Sequence, residues 1–181
     1  HQKAMKTPVE IITESVFDLA KRRIGALIVL PGKEDLEEVV QGGISWDGKV
    51  STEMIKSIFW PNNPVHDGAA VIQGNRVVDV GVILPLSNRK DFPTAYGTRH
   101  RAAAGLSETT DALVIVVSEE RGAITIARGT DLRNINGRGQ FVSALREHLG
   151  IRENQTQYLK KRKIELRIAA LVSLLIVSTV W

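Results

Sequence analysis

The sequence predicts an α/β (α+β) fold in which helices flank both faces of a central mixed β-sheet. Segments with helical periodicity alternate with short apolar runs across residues 8–150, and this alternation predicts mixed secondary structure. Two pairs of apolar runs are separated by turn-forming residues, as expected of antiparallel hairpins. Hydrophobic residues make up 43% of the chain, which is enough for a packed core and excludes a disordered chain.

The first half of this domain is predicted to contain a long helix, a buried strand and two shorter helices. Apolar residues recur at helical spacing over residues 8–23, and a proline suits the first turn of this helix. Residues 25–30 are uniformly apolar and predict a buried strand. Residues 34–41 are predicted to form a short helix that ends at Gly42-Gly43, and Ser51 begins a further helix.

The second half is predicted to contain two hairpins and two helices. The apolar runs 69–73 and 76–84 flank Gly74-Asn75, a pair of residues typical of a hairpin turn. The runs 112–117 and 123–127 form the second predicted hairpin. The predicted helices are residues 98–107 and 139–149.

The segments outside this domain differ from it in composition. Residues 1–7 are predicted to be disordered or foreign to the domain, and residues 151–163 form a basic linker. Residues 164–181 are predicted to start a transmembrane or membrane-proximal helix, because a basic cluster precedes an uncharged run. That run is shorter than the roughly 20 apolar residues needed to cross a bilayer, so a core or dimer helix is the alternative.

Charge and cysteine content exclude several classes of protein. The net charge is +4, and four of the positive charges lie together at residues 160–163. The rest of the chain therefore lacks a strongly basic surface, and we predict no nucleic-acid partner. The chain contains no cysteine, which excludes disulfides and cysteine-ligated metal sites.

One glycine-containing segment has the spacing of a phosphate-binding P-loop but lacks the necessary residues. Residues 43–49 read GISWDGK, and Val50 stands where the motif needs serine or threonine to hold magnesium. The motif also needs a strand before it and a long helix after it, and the sequence predicts neither. We therefore reject a P-loop.

The segment GTRHRAA at residues 97–103 has the features of an anion site. Thr98 is predicted to be the N-cap of a helix that begins at Arg99. Arg99 and Arg101 in the first turn oppose the helix dipole, an unfavourable placement that a bound polyanion such as a triphosphate would explain. An ordinary exposed basic turn is the alternative.

Two further segments carry candidate ligands. Asp67 and Gly68 precede an apolar strand, where the carboxylate could bind a hard metal ion and the glycine would let a ligand approach the backbone. His66 could add a nitrogen ligand to a manganese-like ion. Glu119 and Glu120, in the segment SEERG at residues 118–122, could meet a ribose, an adenine or a metal. Taken alone, each segment is better explained as a common polar turn.

Together these segments resemble the diadenylate cyclase (DAC) domain. The ordered series of DGA, GTRHR and SEE is far more specific than any of its parts. The resemblance covers roughly residues 8–150 and implies the DAC-domain fold. The matching motifs are RRIGALIV at residues 22–29, DGA at 67–69, GTRHRAA at 97–103, GLSETTDA at 105–112 and VSEE at 117–120.

The resemblance implies roles for individual residues. Asp67 would hold the catalytic metal near the attacking ribose 3′-hydroxyl, with His66 as a second metal contact, and Leu84 would pack on the adenine. The implied catalytic residues are Asp67, Arg99, His100 and Arg101. The implied ATP-binding residues are Gly68, Ala69, Leu84, Thr98, Arg99, His100, Arg101, Ser118, Glu119 and Glu120.

The resemblance also implies a reaction and its partners. With Mg²⁺ or Mn²⁺, two ATP molecules would condense to cyclic di-3′,5′-AMP and two pyrophosphates across a face-to-face homodimer or a higher oligomer. The catalytic domain would lie at the cytoplasmic face of the cell membrane. A catalytically inactive sensor that binds ATP or cyclic di-AMP is the alternative.

One feature departs from the membrane-bound branch of the family, whose membrane helices precede the cyclase domain. Here the apolar segment at residues 164–181 follows the domain and resembles the membrane anchor of YbbR-domain proteins. The sequence therefore predicts a cyclase joined to a YbbR-type region.

Overall fold

The structure is a computed structural model that describes residues 6–151, which form four helices and seven strands. The helices are α1 (Pro8–Lys21), α2 (Thr52–Ile58), α3 (Thr98–Thr109) and α4 (Arg138–His148). The strands are β1 (Ala26–Leu30), β2 (Gln41–Lys49), β3 (Ala69–Gln73), β4 (Arg76–Ile83), β5 (Leu113–Val117), β6 (Ile124–Arg128) and β7 (Asp131–Ile135).

All seven strands belong to one mixed sheet with the order β2-β4-β3-β1-β5-β6-β7. Strands β1 and β3 are parallel, and every other neighbouring pair is antiparallel. The two predicted hairpins are present as β3–β4 and β5–β6. The predicted fold class is therefore confirmed.

Helices cover both faces of the sheet, as the sequence predicts. Alternate residues of the central strand β1 point to opposite faces, so Ile28 and Leu30 pack with α1, α2 and α4, whereas Leu27 and Val29 pack with α3. The strand is buried on both faces, which explains its uniformly apolar sequence. Helix α1 begins with a capping box in which Thr7 and Glu10 satisfy each other's backbone N–H groups.

The helix predicted over residues 34–41 is wrong. This segment is irregular apart from one turn at residues 37–39, and β2 begins at Gln41 and continues to Lys49. Gly42 and Gly43 have φ values of 64° and 91°, so they shape the entry into β2 rather than the end of a helix. Residues 43–49 thus lie in a strand, which agrees with the rejection of a P-loop.

Strand β7 (Asp131–Ile135) was also missed by the sequence prediction. Both missed strands are at the edges of the sheet, and both are largely exposed. In β2 only Ile44 and Trp46 alternate with polar residues, and β7 has only two apolar residues, so neither strand has the repeated alternation on which the prediction of strands depends.

Among residues 6–151, no helix is long enough and apolar enough to cross a bilayer. The predicted basic linker beyond Ile151 and the predicted membrane segment at residues 164–181 lie outside the described residues.

Candidate functional site

Most of the predicted site residues meet where the ends of the central strands β1, β3 and β5 come together, which we call the site edge of the sheet. Strands β1 and β3 are parallel and start at this edge, and the antiparallel β5 ends there, with Ala26 opposite Val117. The edge therefore collects Asp67 before β3 and Glu119 after β5, and the N-terminus of α3 lies beside them. The topology thus brings together segments that are far apart in sequence.

The site is a cleft made of two adjoining cavities that share Asp67, Thr98 and Arg99. One cavity, of about 550 Å³, is lined mainly by apolar side chains that include Leu84. The other, of about 470 Å³, is bordered by Ser118, Glu119 and Glu120 as well as by the first turn of α3. A cleft with an apolar half and a charged half suits a ligand of the same construction, such as a base joined to phosphates.

His66, which lies beside Asp67, is oriented by the turn that precedes β3. The Asn63 side chain donates to the Ser57 carbonyl oxygen at 2.9 Å and accepts from the Val65 N–H at 3.1 Å. The Asn63 carbonyl oxygen lies 2.6 Å from His66 Nδ1, and because a carbonyl only accepts, Nδ1 carries a proton. In the neutral ring Nε2 then carries a lone pair, and it lies 3.1 Å from Asp67 Oδ1.

His66 Nε2 and the Asp67 carboxylate together form a candidate cation-binding site. A lone pair and a carboxylate oxygen repel each other unless a proton or a metal ion lies between them. Within residues 6–151 no group of three or more histidine or acidic side chains could enclose a metal. Mg²⁺ commonly takes one or two carboxylates and completes its shell with substrate phosphates and water, and Mn²⁺ also accepts imidazole. Asp67 and His66 fit such a partial shell.

Arg99 lies between two carboxylates at the junction of the two cavities. Its Nη1 donates to Glu119 Oε2 at 3.0 Å, and its Nη2 is 3.8 Å from Asp67 Oδ1. The side chain is 20% exposed, and its Nε is buried without a hydrogen-bond partner. Because Asp67 is 83% exposed, Arg99 is the better-fixed member of the pair. Arg99 can therefore present a guanidinium group to a phosphate in the cleft.

The N-cap of α3 is Gly97 and not Thr98, so this detail of the prediction is wrong. Glycine has no side chain with which to cap the first-turn N–H groups of the helix, and no such bond is formed. Thr98 becomes the first helical residue and lines both cavities. The uncapped helix end adds a partial positive charge to the cleft beside Arg99.

His100 borders the polar cavity, but both of its ring nitrogens are engaged by the protein. Nδ1 accepts from the Gly97 N–H at 3.3 Å, so Nε2 carries the proton and donates to Thr125 Oγ1, also at 3.3 Å. The ring stacks on Tyr96 with 4.3 Å between centroids. Burial, with a smaller contribution from the Arg121 charge, lowers the pKa of His100 to about 4, so the ring is neutral near pH 7. Its contacts fix the start of α3.

Arg101 and Ala69 are not brought into the cleft. Arg101 Nη1 donates to the Arg89 carbonyl oxygen at 3.3 Å, and its guanidinium lies 4.9 Å from the Phe92 ring centroid. Arg101 therefore holds the loop that precedes α3. Ala69 is fully buried among the apolar residues between the sheet and α3.

The remaining predicted residues border the cleft, and Gly68 and Ser118 also stabilise the local backbone. A Cβ on Gly68 would lie 2.4 Å from the Gly81 carbonyl carbon, so the backbones of β3 and β4 already require glycine there. Ser118 Oγ accepts from the Arg121 N–H at 3.3 Å within the turn after β5. Leu84 is 5% exposed and contributes to the wall of the apolar cavity.

Sequence reasoning missed three residues that shape the cleft. Asn63 orients His66, Tyr96 packs on His100, and Gly25 lies against Arg99 and Glu119. Gly25 falls within RRIGALIV, a motif that predicted a strand and supported the family resemblance but assigned no residue to the site. The contacts of the other two are local, since Asn63 and Tyr96 act on residues three and four positions further along the chain. The tendency of asparagine to form side-chain-bonded turns is the signal that could have identified Asn63.

A separate cavity of about 420 Å³ lies between β7 and α4, away from every predicted site residue. Its arginines are paired with carboxylates, Arg128 with Glu147 at 2.8 Å and Arg133 with Asp131 at 2.9 Å. These pairs leave no obvious cation for a ligand, so the cleft at Asp67 is the better candidate.

Comparison with known proteins gives the class to which this cleft belongs. The family model described as "DisA bacterial checkpoint controller nucleotide-binding" (DAC) matches residues 13–132, well over half of the chain. The chain therefore belongs to the DAC family of nucleotide-binding domains, which confirms the resemblance found in the sequence.

Individual relatives agree with this assignment. The chain is 41% identical over 131 residues to cyclic di-AMP synthase CdaA of Bacillus subtilis, covering 72% of this chain and 48% of the relative. It is 44% identical over 124 residues to a diadenylate cyclase of Listeria monocytogenes, covering 68% and 45%. The chain spans about half the length of these curated relatives.

A solved structure shares the fold. The crystal structure of a double mutant of DacA from Staphylococcus aureus matches with a TM-score of 0.74 at 40% identity, covering 77% of this chain and 93% of that one. The architecture of the seven-stranded sheet and its helices is thus that of the DAC domain.

Proposed function

We propose that the domain is a diadenylate cyclase that condenses two ATP molecules into cyclic di-3′,5′-AMP with release of two pyrophosphates. The observation that carries this proposal is the junction of Asp67, Arg99 and the uncapped start of α3 between an apolar and a charged cavity. Membership of the DAC family and the names of the curated relatives support it.

The two cavities divide the binding of ATP between them. The apolar cavity, with Leu84 in its wall, takes the adenine, since aromatic bases bind well against apolar side chains. The triphosphate lies at the start of α3, where backbone N–H groups and Arg99 neutralise its charge. Ser118 and Glu120 border the same region and contact the sugar or the phosphates.

Asp67 and His66 would hold a divalent cation, Mg²⁺ or Mn²⁺, beside Arg99 at the junction of the two cavities. When bound, the cation supplies charge neutralisation and makes a neighbouring ribose 3′-hydroxyl more acidic. Asn63 keeps His66 Nε2 directed at the site by fixing the proton on Nδ1. Arg99 faces the phosphates and stabilises the negative charge that develops on them during transfer.

In the proposed reaction each of two subunits supplies one ATP, and one bond to phosphorus breaks for each bond that forms. Each 3′-oxygen loses its proton to a base or to water and forms a bond to the α-phosphorus of the other ATP. The bond from that phosphorus to the bridging oxygen breaks, and pyrophosphate leaves. Attack of a 3′-oxygen on the α-phosphorus of its own ATP would give a cyclic mononucleotide, so the cyclic dinucleotide requires a second ATP, held in a second cleft that faces the first. The proposed active form is therefore a homodimer or a higher oligomer.

The test uses the full chain purified in detergent. It is incubated with ATP and either Mg²⁺ or Mn²⁺, and products are separated by chromatography and identified by mass spectrometry. We expect cyclic di-AMP and pyrophosphate in a 1:2 ratio and a loss of about 10²- to 10³-fold in Asp67→Asn. Asp131→Asn, at an exposed ion pair on β7, is the matched control and should keep full activity.

Two results would contradict the proposal. Equal activity in wild type and Asp67→Asn would place the chemistry elsewhere. ATP binding without product, under both metals and at high protein concentration, would instead support the inactive sensor.

We also propose that residues 164–181 hold the domain at the cytoplasmic face of the cell membrane. The support is the basic cluster followed by an uncharged run. Fractionation of cells that express the full chain should place it with membranes, and truncation after Gly150 should release it. Recovery of the full chain in the soluble fraction would contradict the anchor.

A further inference from the structure

We infer that Gly25, which directly precedes β1, is a positioning residue for Arg99, and this inference rests on the proposed function of the cleft. A Cβ at Gly25 would lie 2.5 Å from Arg99 Nη1 and 2.7 Å from Arg99 Cζ. It would also lie 3.0 Å from Glu119 Oε2, the acceptor of the Arg99 hydrogen bond. The missing side chain therefore makes the space that the Arg99–Glu119 pair occupies.

The backbone at this position does not itself require glycine. The φ angle of Gly25 lies outside the left-handed region, so an alanine could adopt the same conformation. All three of the nearest atoms belong to the ends of flexible side chains. The requirement for glycine thus comes from Arg99 and Glu119 and not from the fold.

Other glycines in the molecule show the contrast. The neighbour of a Cβ on Gly68 would be the Gly81 backbone at 2.4 Å, which cannot move without disturbing the β3–β4 pairing. A Cβ on Gly137, the N-cap of α4, would meet nothing within 4 Å. Gly25 is intermediate, since a methyl group there is tolerated by the backbone but displaces a cleft side chain.

The displacement has a definite size. Arg99 Nη1 must move about 1 Å to reach an ordinary contact distance from a methyl group at position 25. Arg99 cannot retreat without consequence, because its Nε is already buried and its Nη1 is bonded to Glu119. A misplacement of this size in a catalytic site costs up to about 10²-fold in rate. Gly25 therefore sets where the guanidinium meets the phosphates.

The experiment compares Gly25→Ala with Gly137→Ala in the full chain. We expect Gly25→Ala to lower product formation by about 10- to 100-fold and to weaken ATP binding by calorimetry, with no fall in Tm. Gly137→Ala should change neither activity nor ATP affinity. An active Gly25→Ala variant with wild-type ATP affinity would overturn the inference.

A double-mutant cycle tests whether the effect passes through Arg99. In an Arg99→Ala background, adding Gly25→Ala should cause no further loss, because the methyl group then fills vacated space. If Gly25→Ala alone fails to fold, the double variant should fold again. Losses that simply add, or a double variant that also fails to fold, would show that Gly25 acts on something other than Arg99.

A structural readout separates this inference from the proposed reaction. The buried Arg99 Nε–H should give a protected NMR signal, assigned by its loss in Arg99→Lys. Gly25→Ala should shift that signal, and Gly137→Ala should not. If the wild type makes no cyclic di-AMP, the proposed function fails, yet the shift still decides the inference about Gly25. An unchanged signal in Gly25→Ala would refute it.

Discussion

The two sides of the first turn of α3 differ in how far the protein satisfies their polar groups. On the cleft side, Arg99 shares partly exposed carboxylates and keeps a buried Nε without a partner. On the other side, His100 has both ring nitrogens engaged and Arg101 is bonded to the Arg89 carbonyl oxygen and stacked on Phe92. Three consecutive residues therefore divide into one that is open to a ligand and two that hold the scaffold.

This difference shows that consecutive residues of one motif can supply both a ligand-binding side chain and the side chains that hold its backbone in place. Helical geometry separates neighbours by about 100°, so Arg99 and Arg101 point in very different directions. A chain of hydrogen bonds from His100 through Thr125 Oγ1 to Asn134 Oδ1 ties the start of α3 to β6 and β7. The scaffold side thus fixes the backbone from which Arg99 reaches the cleft.

The largest expected difference between the two sides of the turn is in ATP binding after alanine replaces Arg99 or Arg101. Arg99→Ala should weaken ATP binding and product formation by about 10- to 100-fold, since charge-assisted hydrogen bonds to phosphate are lost. Arg101→Ala should reduce the activity of folded protein by less than about threefold, while lowering stability by about 1 kcal/mol through lost contacts to Arg89 and Phe92. Calorimetry with ATP and urea unfolding measure the two quantities.

Circular dichroism should confirm that both variants are folded before activities are compared. Equal losses of ATP affinity in Arg99→Ala and Arg101→Ala would remove the distinction between the two sides of the turn.

The sequence was sufficient to predict the fold class, and most of the predicted site residues line the candidate cleft. The apolar runs of β1 and β5 and the turn at Gly74-Asn75 predict the centre of the sheet, because buried strands carry strong apolar signals. The edge strands β2 and β7 could not be predicted in this way, since they are exposed and carry little apolar patterning.

Within the site, the identity of the cleft residues was easier to predict than their direction. The motif at residues 97–103 predicts an anion site but does not show that the His100 ring is buried in the protein. That orientation depends on Thr125, which lies 25 residues further along the chain in β6. Gly25 was invisible as a site residue for the same reason. Its partners Arg99 and Glu119 come from distant segments.

A second, smaller effect is expected at the turn where Asn63 orients His66 Nε2 towards Asp67. Asn63→Ala removes the bonds to Ser57 and Val65 and loosens the carbonyl oxygen that fixes His66 Nδ1. We expect the affinity for Mn²⁺ to fall about tenfold, as for other residues that orient a metal ligand. Titration of Mn²⁺ in the presence of a non-reactive ATP analogue, followed by electron paramagnetic resonance, measures it.

The neighbouring exposed residue provides the control for this turn. Asn62→Ala should leave Mn²⁺ affinity unchanged. Unaltered Mn²⁺ affinity in Asn63→Ala would show that His66 keeps its direction without this support.

The smallest effect on activity is expected on the scaffold side, where His100 acts through stability and its dependence on pH. The pKa of His100 is about 4 in the folded protein and about 6.5 when unfolded, so below pH 6.5 only the unfolded chain takes up this proton. Stability should therefore fall by up to about 3 kcal/mol as pH decreases from 6.5 to 4. Urea unfolding at several pH values should show this slope in wild type and a shallower one in His100→Gln, which cannot titrate. Identical slopes would mean that His100 is protonated equally in both states, and the neutral, buried ring described above would be wrong.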